Sequence, residues 1–261
     1  MGEERRETFE VGGKAKIELK SLPSGRASFL PGEDGKVEVY VRGRDVEEFL
    51  IEHFGDTIEL RAPEGISTRW DSFEVEVRMP EKGVSLSANV AAADVEVGVD
   101  IETLGFNSAS GNLRTKNIEG DAGVNTASGA VEIEVVGGKL GVNTASGDIR
   151  VREAKGNLGA NSASGDVRVE SALADLELRS AAGDLEVGNY AGGDLRCTTQ
   201  AGDIKISVPP GRTLEVDMNT HTGDIRNELG ESEGGTEDEG NGATAHLRMK
   251  TLSGDITLAR A

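Results

Sequence analysis

Four aspartates recur in step along the chain, Asp148, Asp166, Asp184 and Asp203, each directly after a glycine. Carboxylates held in register can do two kinds of chemistry. Clustered, they ligate a cation such as calcium. Paired at the right separation, they act as acid and base in glycoside hydrolysis. The calcium comparison is the β-roll repeat G-G-x-G-x-D-x-U-x. It needs paired glycines and a spacer between Asp and the aliphatic residue, whereas Gly165, Asp166 and Val167 are consecutive. For hydrolysis the other candidates are Glu132 and Glu186, three strides of 18 residues apart. At one strand spacing per stride that is about 14 Å, beyond the roughly 5–9.5 Å that either stereochemical route requires. His53, His221 and His246 show no metal-ligand spacing. Cys197 shares a column with Val124, Val142 and Leu178, which makes it a buried small hydrophobe rather than a nucleophile. The serine-rich triplets before the glycines lack the strand-to-helix setting of a nucleophile elbow. The sequence therefore predicts no catalytic residue, no metal site, no cofactor and no enzyme, and assigns the Asp column to turns.

What positions these residues is a repeat. Gly111, Gly129, Gly147, Gly165 and Gly183 are spaced by 18, and Gly202, Gly223 and Gly254 follow at 19, 21 and 31. Two residues after each stands an aliphatic: Leu113, Val131, Ile149, Val167, Leu185, Ile204, Ile225 and Ile256. Three before each stands a hydroxyl: Ser108, Thr126, Thr144, Ser162, Ser180, Thr199, Thr220 and Thr251. A second aliphatic column, with Val151, Val169 and Val187, lies four after the glycine, and charges such as Arg114, Glu132, Arg150, Arg168 and Glu186 fall between the two. Apolar, charged, apolar is the alternation of a half-buried strand, and Gly-Asp is turn chemistry.

A meander and a solenoid both fit a turn-strand repeat. In a meander, residues one full period apart lie two strands away, about 9–10 Å. In a solenoid they stack at about 4.8 Å. Asn107, Asn125, Asn143 and Asn161 form an unbroken column at spacing 18, as expected if amides hydrogen-bond along a ladder. The expected fold is all-β: a single-stranded, right-handed parallel β-helix with about 18 residues per coil and two parallel sheets across a thin aliphatic core.

Residues 1–86 hold seven of the nine aromatics and are read as irregular β-rich first coils or a cap, covering an apolar end. Within them, DVEEFLIEHF is a short helix or, preferably, part of a hairpin turning at Gly55-Asp56. Residues 87–261 are the regular solenoid, interrupted by an acidic Gly-rich insert at 228–243 expected to be a disordered loop. Residues 246–261 are expected to close the stack. The net charge of −19 argues against nucleic acid or anionic lipid as partner. With no leader, no membrane span and one cysteine, the expected setting is cytoplasmic, with envelope association through a partner.

The Ser-Gly-Asp-aliphatic repeats, the entry RMPEKGVSLSANVAAADVEV (78–97), the segment VPPGRTLEVDMNTHTGDIR and the closing LRMKTLSGDITLARA resemble the bacterial putative-adhesin family of β-strand repeat proteins, in the toastrack superfamily. The resemblance covers essentially the whole chain. It implies a right-handed β-solenoid, no established catalysis and, in related chains, links to envelope-stress signalling or adhesion. Three functions are then weighed. The leading one is a non-catalytic scaffold that binds a protein partner or a second copy through a sheet face or a solenoid end, without entering a membrane. The others are an adhesin for a surface polymer and a polysaccharide-active enzyme.

Overall fold

The computed structural model describes residues 3–63, 72–229 and 244–261. Trp70 and the insert from 230 to 243 lie outside the described residues. The chain divides into two compact units, Met1–Lys139 and Leu140–Ala261. Parallel pairing dominates both, with antiparallel pairs added in the first, and the described residues contain no α-helix.

In the first unit the long strand Lys16–Pro31 lies parallel to Ser85–Val97, with Ile17 opposite Leu86 and Phe29 opposite Val97. Its other edge pairs in parallel with Thr57–Arg61 and then Phe73–Met79. Antiparallel strands finish this side. Lys36–Gly43 pairs with Phe73–Met79, and Glu3–Glu10 with Lys36–Gly43. Leu50–Phe54 forms a hairpin with Thr57–Arg61, turning at Gly55-Asp56 as the sequence predicts. A 3-10 turn at Val46–Glu48 precedes it and sinks Val46 and Phe49 into the core. Phe49 meets Phe73 at a ring separation of 5.4 Å. Beyond Ser85–Val97 the register becomes regular: Leu86, Leu104 and Ala122 stack on one face, and Val95, Leu113 and Val131 on the other.

The second unit is two parallel ladders. One stacks Leu140–Thr144, Leu158–Ser162, Leu176–Ser180 and Asp194–Thr198. The other stacks Ile149–Ala154, Val167–Ala172, Leu185–Tyr190 and Ile204–Val208. Ile149, Val167, Leu185 and Ile204 are at most 1% exposed, and burying each such side chain contributes about 1.5–3 kcal/mol.

The last coils depart from the expected order. The C-terminal strands Ala245–Ser253 and Ile256–Arg260 pair with Asp194–Thr198 and Ile204–Val208. Leu214–Thr222 and Ile225–Asn227 then pair on the far side of those strands. Residues 246–261 thus do not close the stack; they are inserted beneath the coil that precedes them in sequence. Side-chain chemistry accounts for the exchange. Ala245, Leu247, Met249, Ile256 and Leu258 are all fully buried. The preceding coil carries Asn227 where its neighbours carry an inward aliphatic. Burying that amide without a partner would cost about 1–3 kcal/mol, so the coil that contains it takes the exposed position.

Candidate functional site

The corner at which each Gly-Asp sits is built by close approach. A Cβ on Gly165 would lie 2.1 Å from the Gly147 carbonyl oxygen, and one on Gly129 would lie 2.0 Å from that of Gly111. No side chain fits, which explains the glycine column. The strand glycines Gly141 and Gly159 have nothing within 4 Å of that position.

The aspartates next to these corners reach across to the following coil. Asp148 Oδ1 accepts the Asp166 N–H at 3.1 Å, Asp166 Oδ1 that of Asp184 at 2.9 Å, and Asp184 Oδ1 that of Asp203 at 2.8 Å. Asp203 Oδ1 accepts the Asp255 N–H at 2.8 Å, and Asp255 Oδ1 that of Asp224 at 2.9 Å. This last pair of bonds records the exchanged coil order. Turn chemistry alone would have these carboxylates bonding back to their own loops. Instead each accepts an N–H one coil away.

The asparagines lie on solvent-facing positions. Asn107 Nδ2 donates to Asn89 Oδ1 at 2.8 Å and Asn125 Nδ2 to Asn107 Oδ1 at 3.1 Å. In the second unit Asn161 Nδ2 donates to Asn143 Oδ1 at 3.0 Å. Asn89 is absent from the sequence-predicted column because Ala93 replaces the corner glycine that marks each repeat; its place 18 before Asn107 is the available signal. Asn161 next faces Arg179, and Asn219 faces Lys250.

The hydroxyl column changes role along the chain. Ser108, Thr126, Thr144 and Ser162 accept the N–H of the glycine three residues on, at 2.7–3.0 Å. From Gly183 onward that N–H donates to another coil: Gly183 to Ala201, Gly202 to Ser253 and Gly254 to Thr222. The threonines turn into donors, Thr199 to the Gly183 carbonyl at 3.2 Å and Thr251 to that of Gly202 at 3.1 Å. Gly202 takes φ 150° here, a conformation open mainly to glycine. At the junction between the two modes, Ser180 Oγ is buried without a hydrogen-bond partner.

Charges pair along the coils. Arg114 meets Glu132 at 2.7 Å, and Arg168 pairs with Glu186, its Nε donating at 2.9 Å. A shallow groove of about 130 Å³ runs over Asp148, Arg150, Asp166, Arg168, Asp184 and Glu186. In the first unit a second hollow, about 190 Å³, is lined by Arg26, Tyr40, Arg42, Glu74 and Glu76. Arg6 and Arg78 lie 4.9 and 5.5 Å from the Tyr40 ring. Hydrogen bonds from Arg6 and Tyr40 hold the Glu38 carboxyl below its ordinary range. No spacing in the sequence brings these residues together, so this cluster was not legible there.

Cys197 is fully buried, and burial pushes its thiol up; a raised pKa makes a poor nucleophile. Burial also raises the Tyr190 phenol. The His53 ring lies tilted against Phe9 at 5.0 Å, and His246 Nδ1 lies 3.0 Å from Glu215 Oε2. Among the described residues no three His, Cys, Asp or Glu side chains are placed to hold a metal, and no helix is long and apolar enough to cross a membrane.

The profile of the family described as Toastrack DUF4097 matches residues 4–259. No curated protein matches the chain. Similar solved structures include a putative adhesin from Bacteroides fragilis, 14% identical with a TM-score of 0.47 over 98% of this chain and 97% of that one. A putative lipid binding protein from Parabacteroides distasonis is 11% identical, with a TM-score of 0.45 over the same shares. A putative adhesin from the same organism is 13% identical, with a TM-score of 0.42, again over 98% and 97%.

Proposed function

From the premise that the chain belongs to the Toastrack DUF4097 family, we propose that it is a non-catalytic, adhesin-like scaffold that mediates protein–protein contact, with envelope association supplied by its partner. One observation carries the reading. The polar side chains that could do chemistry are engaged in stacking: each carboxylate from Asp148 to Asp203 holds the backbone of the next coil. A general acid or base needs a proton path to substrate in a cleft that excludes water. These carboxylates lie exposed along an open groove. A face patterned with paired charges, as at Arg168 and Glu186, suits recognition instead.

The test is site-specific photo-crosslinking from position 150 in host cells, with turnover assays on polysaccharides in parallel. A discrete protein adduct is expected. An adduct to polymer alone would replace protein contact with surface adhesion. Turnover abolished by Asp166→Asn in a chain that stays folded would end the non-catalytic reading.

A further inference from the structure

The strand Leu214–Thr222 is paired on one side only, with Ala245–Ser253. Among the described residues nothing pairs with its other edge. Ladder parity fixes which backbone groups face outward. The Ala245 N–H donates to the Thr213 carbonyl at 3.0 Å. In a parallel pair this directs the odd-numbered residues of the strand toward Ala245–Ser253. Leu214, Val216, Met218 and Thr220 then present their N–H and C=O groups to the open edge. Their side chains are only half-buried, and Ile225 of the same coil is 46% exposed. Long edges are normally blunted by Lys, Pro or a bulge. The strand LEVDMNTHT has neither Lys nor Pro and only two carboxylates, Glu215 and Asp217, whereas the edge strand Glu3–Glu10, EERRETFE, is charged at all positions but Thr8 and Phe9.

We propose that a second copy of this chain docks on this edge, about a two-fold axis through Met218, so that the two Leu214–Thr222 strands pair antiparallel. The proposal rests on the scaffold reading above and names one partner for it. The sequence of the strand is self-complementary in that register. Inward, Leu214 faces Thr222 of the partner subunit, Val216 faces Thr220 of the partner subunit, and the two Met218 side chains meet at the axis. Val216, Met218 and Thr220 carry free edge groups, so the Val216–Thr220 and Met218–Met218 positions become the hydrogen-bonded pairs of an antiparallel ladder, while the Thr222 carbonyl is already taken by the Gly254 N–H. Outward, Glu215 faces His221 of the partner subunit and Asp217 faces Asn219 of the partner subunit. No carboxylate opposes another. Shifting the axis to Asp217 would set that carboxylate against its own copy, which is destabilising, and would leave strand ends unpaired. Charge on the edge is already moderated from below, since Asp217 accepts from Arg248 Nε at 3.2 Å and Glu215 meets His246.

Sedimentation equilibrium of the full chain at about 0.15 M salt, where surface repulsion is screened beyond ~8 Å, tests the association. A monomer–dimer equilibrium is expected. Met218→Pro removes an edge N–H without touching the bonds to Ala245–Ser253, a change tolerated on edge strands. It should weaken dimerisation at least tenfold with an unchanged far-UV spectrum. The double variant Glu215→Cys, His221→Cys tests the register. Directly opposed residues of a non-hydrogen-bonded pair lie about 4.5 Å apart, within disulfide reach. Within one chain the two positions are about 20 Å apart. Oxidation should give a covalent dimer of the double variant and of neither single variant. A chain that stays monomeric at all concentrations, a dimer indifferent to Met218→Pro, or equal crosslinking by a single variant overturns the proposal. A failed dimer leaves the scaffold reading to its own crosslinking and turnover tests.

Discussion

Replacing Gly165 with alanine places a Cβ 2.1 Å from the Gly147 carbonyl oxygen and 2.6 Å from its carbon. Carbon and oxygen in contact need more than 3 Å, so the two corners must separate by about 1 Å, a fifth of the ~4.8 Å strand spacing. Such a shift strains the bonds that tie these corners: Ser164 N–H to Ala145 at 2.9 Å and Asp166 N–H to Asp148 Oδ1 at 3.1 Å. Two such bonds at ~1 kcal/mol each, with ~1–3 kcal/mol of overpacking, give a loss of about 3–5 kcal/mol. Gly159→Ala is the control. Its Cβ meets nothing within 4 Å and its φ is not positive, so its effect should stay within about 0.5 kcal/mol of zero. Urea unfolding followed by far-UV circular dichroism reads both midpoints at constant slope. Equal midpoints for the two variants would refute the account of why the corner column is glycine.

Two further outcomes follow from the side-chain contacts. Asn143→Leu removes the acceptor of the Asn161 amide and, at an exposed site, should lower stability by about 0.5–1 kcal/mol; an unchanged urea midpoint would contradict a stabilising ladder. Hydrogen bonds from Lys16 and Lys20 hold the Glu18 carboxyl below its ordinary range. Its folded pKa lies under the unfolded value of about 4.3, so its contribution is present above that value and is lost as pH falls through the folded one. Glu18→Gln should therefore cost about 0.5–1 kcal/mol at neutral pH, with the difference shrinking as the pH is lowered below about 4; a difference independent of pH would contradict this.

The regular coils were legible because stacking repeats a residue's surroundings every 18 positions, and identical surroundings select identical residues, as at Leu158 and Leu176. Where the surroundings are unique, that signal disappears. Ile17 and Leu86 pair across a long sequence gap with no shared column to announce it. Tyr40 gathers Arg6 and Arg78 through antiparallel pairing that no period records. The exchanged order of the last coils left one trace, Asn227 in an aliphatic column, but a sequence presents coils in chain order and says nothing about the order of stacking. The Asp column was found by spacing, yet the direction of its bonds depends on a one-coil offset visible only in three dimensions.

The vertical register of the coils underlies the contacts between coils described above, and nitroxide labels at Arg150 and Arg168 test it directly. These exposed residues are opposed in adjacent parallel strands, about 4.8 Å apart along the stack, and buried Cys197 is shielded from the labelling reagent. Strong spin–spin interaction with a collapsed, exchange-broadened spectrum is predicted for the doubly labelled chain. Two independent three-line spectra would mean that residues one period apart are not neighbours, and the stacked-coil account would be wrong.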